Sequence, residues 1–336
     1  MSQLNIFSVL PKGLLDLEAE ALHSVLPGPS LIHLEGRQQP PLFVSVLLHG
    51  NEDTGWEAVK RILRKYQEIP LPRSMSVFIG NVSAAKLGLR RLDGQQDYNR
   101  IWGEGDSTEH RMAQQVLHEM AQKNVYAAID IHNNTGRNPH YACINRLATP
   151  FLHLATLFGR TVVYFIKPDS VLSMAFADLC PAVTLECGRS GDEGGIEHAA
   201  ELVDACLHQS YLPEHPVAAG DIHLFHTMAI IKVPESLSFH FNGDPNVDIT
   251  FDAELDSLNF RELPSGTVIG RVNGTASVML EAWNEQGMDV AELYFEVVNG
   301  EIVLKRPVMP SMLTLDERVI RQDCLCYFME RLEFQH

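Results

Sequence analysis

Two hydrophobic periods alternate along the first two-thirds of the chain. "PLFVSVLLH" (residues 41–49) is apolar almost without interruption, as a strand buried on both faces requires. "GWEAVKRILRKYQEI" (55–69) then spaces Trp56, Val59, Ile62 and Leu63 at helical intervals, so that they share one face. "SMSVFIGNV" (74–82) predicts a strand, "TEHRMAQQVLHEMAQKN" (108–124) a helix opening at Thr108, and "VYAAIDIH" (125–132) another strand. Further on, "TPFLHLATLFG" predicts a helix, "RTVVYFI" and "PAVTLECG" (181–188) strands, and "GIEHAAELVDACLHQSYL" a helix. Strands and helices taking turns in this way predict an α/β layer architecture with a parallel or mixed sheet.

The pattern changes near "PEHPVAAG" (213–220). Beyond it lie short β-rich runs between turn residues: "MAIIKV", "DITF", "GTVIGRV", "ASVMLEAW", "AELYFEVV" and "NGEIVLKR". Asn299-Gly300 between two apolar runs is a hairpin signal, because both residues tolerate the positive φ that a tight primed turn demands. The expected division is an α/β catalytic domain at 1–214 and a smaller, mostly β domain at 215–336.

Composition narrows the function. At 336 residues, 45% hydrophobic and 21% charged, the chain is long enough for a large core or two domains. A formal net charge of −17 repels a phosphate backbone, which argues against nucleic acid as a partner. It leaves room for a small anionic substrate held by local arginines. None of the six cysteines forms a C-x-x-C pair, and most lie in apolar stretches, which fits a reducing cytoplasm. The N-terminus lacks a basic start followed by an apolar core, so no signal peptide is expected. No run approaches the roughly 18 apolar residues of a membrane span, so no membrane partner is expected. Cys324 and Cys326 alternate like strand positions and read as packing residues rather than a second metal site.

In an open α/β sheet, ligands bind beyond the carboxyl ends of the strands. His49 and Glu52 follow the first predicted strand; His132, with Asn133 and Asn134, ends another; Glu186, with Cys187 and Gly188, ends a third. Catalytic zinc takes three protein ligands and leaves a position for water, and two histidines with a glutamate are one such set. His49, Glu52 and His132 are therefore candidate ligands for one Zn2+ per chain, and Glu186 is a candidate general base and acid. Gly50 would allow the turn that brings His49 and Glu52 together. Asp130 shares a strand face with His132 and is placed to orient it; a plain structural hydrogen bond explains it equally well. Each residue alone is common in proteins without metal, and the conjunction of strand ends carries the reading. Between the candidate ligands lies "LRRLDGQQDYNRIWGEG" (89–105), with Arg90, Arg91, Asn99 and Arg100. Arginine holds carboxylates bidentately and can stabilise an oxyanion. Paired with Asp93, Asp97 and Glu104, the same arginines would make only a solvated loop.

"HGNE", "RRLDGQQDYNR", "DIHNN" and "TLECG", in that order, resemble the succinylglutamate desuccinylase/aspartoacylase branch of the zinc carboxypeptidase-like hydrolases. The resemblance spans roughly residues 40–200 and extends to the β-rich tail. It implies a zinc-carboxypeptidase-like mixed sheet flanked by helices, followed by a smaller, mostly β domain. It implies zinc on His49, Glu52 and His132, with Glu186 activating water and then protonating the leaving amine. Asn99 and Arg100 would hold the carboxylate of the amino-acid portion, and Arg91 would polarise the scissile carbonyl. The Arg91-to-Asn99 spacing is one residue longer than in close aspartoacylase relatives, so Arg90 stays beside Arg91 as a candidate; Asn133 is a further substrate contact. The branch's additional arginine before its catalytic glutamate has no counterpart in "SVLSMAFADLCP" (170–181), which is apolar. Arg137 and Arg189 are alternatives for it, and Tyr141 and Tyr327 are candidates for the branch's active-site tyrosine. The expected activity is hydrolysis of the amide bond of a small N-acyl amino acid. One alternative is a metallocarboxypeptidase acting on a peptide or cell-wall fragment. Another is a zinc- or ligand-binding protein without catalysis. Apolar surface on the β domain is compatible with a homo-oligomer.

Overall fold

Every residue of the apolar run at 41–49 is buried, and its strand lies well inside a mixed sheet. The computed structural model describes residues 3–241, 243, 246–273 and 279–333. Its contacts define two units: one takes in residues up to Asn133 with His140–Leu224, the other Asn134–Pro139 with Phe225–Glu333.

In the first unit the strands are β1 (Asn5–Phe7), β2 (Ser30–Leu34), β3 (Leu42–Val46), β4 (Met75–Ile79), β5 (Ala127–Asn134), β6 (His140–Ile144), β7 (Thr161–Tyr164) and β8 (Ala182–Arg189). The helices are α1 (Thr54–Lys65), α2 (Val82–Ala85), α3 (Thr108–Gln122), α4 (Thr149–Phe158), α5 (Leu172–Phe176) and α6 (Glu193–His208). The strands are ordered β1-β2-β4-β3-β5-β8-β6-β7. β3 runs parallel to both β4 and β5, whereas β2 is antiparallel to β4 and β6 is antiparallel to β8. The mixed α/β sheet with flanking helices is thus as the alternating pattern predicts. α1 buries Trp56, Val59, Ile62 and Leu63 on one face, and its solvent side pairs with α6 through Arg61–Glu193 and Lys65–Asp204. Ser107 starts α3 by accepting the N–H of His110, an N-cap bond. Phe43 of β3 stacks on Phe176 of α5 with ring centroids 4.2 Å apart.

The second unit contains β9 (His223–Lys232), β10 (Phe239–Phe241), β11 (Ile249–Phe251), β12 (Val268–Val272), β13 (Glu281–Asn284), β14 (Phe295–Val298), β15 (Glu301–Leu304), β16 (Met309–Ser311) and β17 (Cys326–Arg331), with short helices α7 (Ala291–Tyr294) and α8 (Glu317–Gln322). Five strands form a sheet in the order β10-β11-β12-β15-β14, while β13 and β17 both pair with β9. Asn299 and Gly300 take φ values of 53° and 80° and close the β14–β15 hairpin, in which Val298 faces Glu301. "AELYFEVV" is a strand only in its second half. Asp289 accepts the N–H of Ala291 at 3.0 Å just before the helical turn of α7. Of the expected "ASVMLEAW" strand, β13 covers the end, and residues 276–278 lie outside the described residues. Among the described residues no helix is long and apolar enough to cross a membrane.

Candidate metal centre

β3 ends at Val46, and Leu47 then takes a left-handed φ of 56°. That conformation is uncommon for a residue with a Cβ, and it redirects the chain so that His49 leaves the sheet edge. Glu52 N–H donates to His49 O (3.2 Å), closing the turn, and α1 begins at Thr54. Gly50 is required for closeness: a Cβ there would lie 2.2 Å from Ala85 N and 2.7 Å from Leu89 O. Its N–H donates to Arg90 O at 3.1 Å, which ties the His49 turn to the arginine loop. Two other strand ends hold the turn. Asn133, after His132 on β5, accepts the N–H of Thr54 (3.3 Å), and Ser190, just past β8, donates to Asp53 Oδ1 (2.6 Å).

The two imidazoles converge on one carboxylate. His49 Nδ1 is 2.8 Å from Glu52 Oε1, and His132 Nδ1 is 2.6 Å from Glu52 Oε2. Each ring has a second carboxylate behind it: His49 Nε2 is 3.0 Å from Asp97 Oδ1, and His132 Nε2 is 2.9 Å from Asp130 Oδ2. The rings lie 5.1 Å apart, and His49, Glu52 and His132 are all buried. One donor atom from each of the three falls within 4.8 Å of the others, a spacing that one ion can bridge.

The electrostatics favour a cation here. Burial alone would raise the pKa of Glu52, but the facing His49 and His132 hold its carboxyl well below the ordinary range. Burial likewise favours neutral imidazoles, yet Asp130 and Glu52 push His132 well above its usual value. Burial and Arg90 oppose protonation of His49, and Glu52 and Asp97 outweigh them. With both rings neutral, Glu52, Asp97 and Asp130 surround them against the guanidiniums of Arg90 and Arg100, which leaves the cluster short of positive charge. Two imidazoles and a carboxylate are the donor set zinc takes, and a carboxylate on the far nitrogen of each ring is the usual support for a ligand histidine. The residues present therefore fit a divalent metal.

Glu186 lies on β8, the sheet neighbour of β5, and is buried. Ala128 N–H donates to Pro181 O (2.9 Å) where both strands begin, so the two run in the same direction. In a parallel ladder an N–H bonds to the carbonyl of the residue before its level partner, so Ala128 is level with Ala182, and four residues further on His132 of β5 is level with Glu186 of β8. Burial first, then the charges of Glu186 and Glu52, drives the Cys187 thiol well above its usual pKa. Tyr141 is paired with Glu186 across β6 and β8 and is also buried.

The two adjacent arginines diverge. Arg90 donates to Asp97 Oδ2 (3.1 Å) and approaches Glu52 Oε1 at 3.7 Å, whereas Arg91 donates to Gln95 O (2.8 Å). Asn99 is buried with its Nδ2 3.5 Å from His132 Nε2, and its Oδ1 accepts the N–H of Leu172 (3.1 Å). This ties the apolar 170–181 segment to the loop. Arg100 donates to Asn99 O (2.9 Å). Arg189 is exposed at the end of β8. Arg137 and Tyr327 are in the second unit, where Arg137 pairs with Glu254 (2.6 Å) and Asp256 (3.5 Å). All six cysteines are free and buried, and among the described residues His49, Glu52 and His132 are the one group spaced for a metal. The Asp97 contact to His49 is absent from the sequence reading, which pairs Asp97 with an arginine. Its signal is the position of Asp97 two residues before Asn99 in "DYNR".

The fold is thus a mixed α/β sheet with a buried His-Glu-His group that could hold a metal ion. Residues 38–209 match the succinylglutamate desuccinylase/aspartoacylase catalytic domain, and the chain belongs to that family. No curated protein sequence matches the chain. Among solved structures, it is similar to a succinylglutamate desuccinylase/aspartoacylase from Rhodobacter sphaeroides (15% identity, 90% of this chain and 89% of that one, TM-score 0.58). It is also similar to a succinylglutamate desuccinylase from Chromobacterium violaceum (18% identity, 80% and 86%, TM-score 0.52) and to murine aminoacylase 3 (16% identity, 88% and 97%, TM-score 0.52). At these identities the likeness shows the shared fold.

Proposed function

We propose that the chain is a cytoplasmic zinc-dependent amidohydrolase that releases an amino acid from a small N-acyl amino acid. The observation carrying this reading is the buried convergence of His49 and His132 on Glu52, inside the segment that matches the family's catalytic domain. The likeness to a succinylglutamate desuccinylase and to aminoacylase 3 supports the same chemistry. Buried free thiols fit a reducing compartment.

His49, Glu52 and His132 would hold the zinc, which when bound lowers the pKa of water and polarises a carbonyl. Asp97 and Asp130 keep the two Nδ1 atoms turned toward Glu52 by accepting at the opposite nitrogens. Glu186, level with His132, takes the proton of the attacking water on its carboxylate and returns it to the leaving nitrogen. Arg90, nearer the cluster than Arg91, stabilises the oxyanion. Asn99 and Arg100 would receive the carboxylate of the amino-acid portion, with Asn133 holding the start of α1 beside them. The α/β domain at 1–214 would do the chemistry, with the β-rich domain at 215–336 as a separate unit.

The test is primary-amine release from a panel of N-succinyl, N-acetyl and longer N-acyl amino acids, with dipeptides and tripeptides alongside. Turnover of an N-acyl amino acid by the zinc-loaded chain, lost in Glu186→Gln, supports the reading. Turnover of peptides alone contradicts it and favours a carboxypeptidase. Zinc binding with no turnover on either group contradicts it and favours a binding protein.

A further inference from the structure

The end of the first unit's sheet opposite the metal cluster is also concave. β3, β4 and β5 begin there, at Leu42, Met75 and Ala127, and β2, antiparallel to β4, ends there at Leu34. A cavity of about 420 Å³ opens among these ends, within the roughly 300–1,000 Å³ common for small-molecule sites. Leu34, Pro41 and Met75 give it an apolar wall. Its polar floor is already organised. Ser74 Oγ accepts from Gly36 N (2.9 Å) and Gln39 Nε2 (2.8 Å), and Ser76 Oγ is 2.8 Å from His33 Nδ1. Both serines are buried.

One buried atom of this cavity lacks a partner, and two exposed charged side chains at its rim are unpaired with each other. His33 Nε2 is buried with no hydrogen-bond partner, which is costly for a polar atom. Burial and then Lys123 push His33 below its usual pKa, so the ring is neutral and has one hydrogen bond left to make. Lys123, just past α3, and Glu35, just past β2, also line the cavity, and neither forms an ion pair among the described residues. A simple anion placed here meets Glu35, and a simple cation meets Lys123. A molecule carrying both charges a short distance apart satisfies each.

We infer that this cavity binds a free α-amino acid with an apolar side chain. Its carboxylate lies at Lys123, its ammonium group at Glu35, and its side chain along Leu34, Pro41 and Met75, with His33 Nε2 bonded to one of its polar groups. The site is separate from the metal cluster and does not depend on the reaction proposed there.

Calorimetric titration of the full chain with L-leucine and L-methionine tests this. 4-Methylpentanoate and isopentylamine, each keeping one charge, serve as comparisons. The expected result is saturable binding of the amino acids and at least tenfold weaker binding of either single-charge analogue. Lys123→Ala and Glu35→Gln, both at exposed positions, should each weaken binding at least tenfold, and His132→Ala should leave it unchanged. No binding of either amino acid, or binding lost in His132→Ala but kept in Lys123→Ala, overturns the site. Equal binding of 4-methylpentanoate overturns the zwitterion assignment. If His132→Ala unfolds, the two exposed variants alone decide the outcome.

Discussion

His49 and His132 present the same nitrogen to the same carboxylate, yet they are supported differently. Asp130, behind His132, is two residues earlier on the same strand and is 1% exposed. Its place is set by sheet hydrogen bonds with β3, level with Ser45. Asp97, behind His49, comes from a loop and also binds Arg90, with 11% of its side chain exposed. His49 itself sits past a left-handed Leu47 on a turn held by three tethers from elsewhere. One arm of the cluster is therefore fixed by regular structure and the other by a loop that also carries candidate substrate residues. The contrast suggests that the His132 arm sets metal affinity, while the His49 arm couples the metal to the substrate loop.

The largest effects should come where the arms meet. Glu52→Ala leaves two buried imidazoles without their shared partner, and bound zinc should fall from about one per chain to none, as metal analysis of dialysed protein would show. Glu186→Gln should keep its zinc and lose turnover by about 10²–10⁴-fold, the usual worth of a general base. Next comes the comparison itself. Asp130→Asn and Asp97→Asn should each weaken zinc by about 10–100-fold, with Asp130→Asn at the upper end. Only Asp97→Asn should also raise KM, because it releases Arg90. Equal effects on affinity and KM from both variants would break the contrast. A smaller effect is expected where the two arginines part: Arg90→Ala should lower kcat by about 10²-fold, and Arg91→Ala by less.

The smallest effect lies away from the site. Burial pushes the Cys180 and Cys206 thiols up to about 12, whereas an unfolded thiol ionises near about 8.5. Below that pH they do not alter stability. Between about 8.5 and 12 the unfolded chain sheds protons that the folded chain keeps, so stability falls as pH rises. Denaturant midpoints at pH 7.5 and 10 should show this loss reduced in Cys206→Ala.

The parts of this picture written in local pattern were readable in the sequence. A fully buried strand must be apolar throughout, so β3 and β4 stand out, and helical spacing marks α1 and α3. The donor set was readable because His49, Glu52 and His132 follow apolar runs, where a charged residue has no packing reason to be. Contacts between distant segments were not readable. β6 lies beside β8 through an antiparallel pairing that "HYACI" does not announce, and β2 depends on its register with β4. Asp97 resembles any acidic loop residue until the fold brings it to His49. Gly50 looked like a turn residue, and only the approach of Ala85 shows why a side chain is excluded. α7 interrupts an apparent strand where Asp289 accepts the N–H of Ala291, a local hydrogen bond that the apolar run behind it does not announce.

The most direct test of the central claim is a single zinc titration of chelator-stripped protein, with primary-amine release from the N-acyl amino acid panel read at each point. The account predicts amine release that rises linearly and levels off at one zinc per chain, with Glu186→Gln binding the same equivalent in silence. Amine release that is undiminished in the stripped protein, or that is equal in Glu52→Ala, would contradict it.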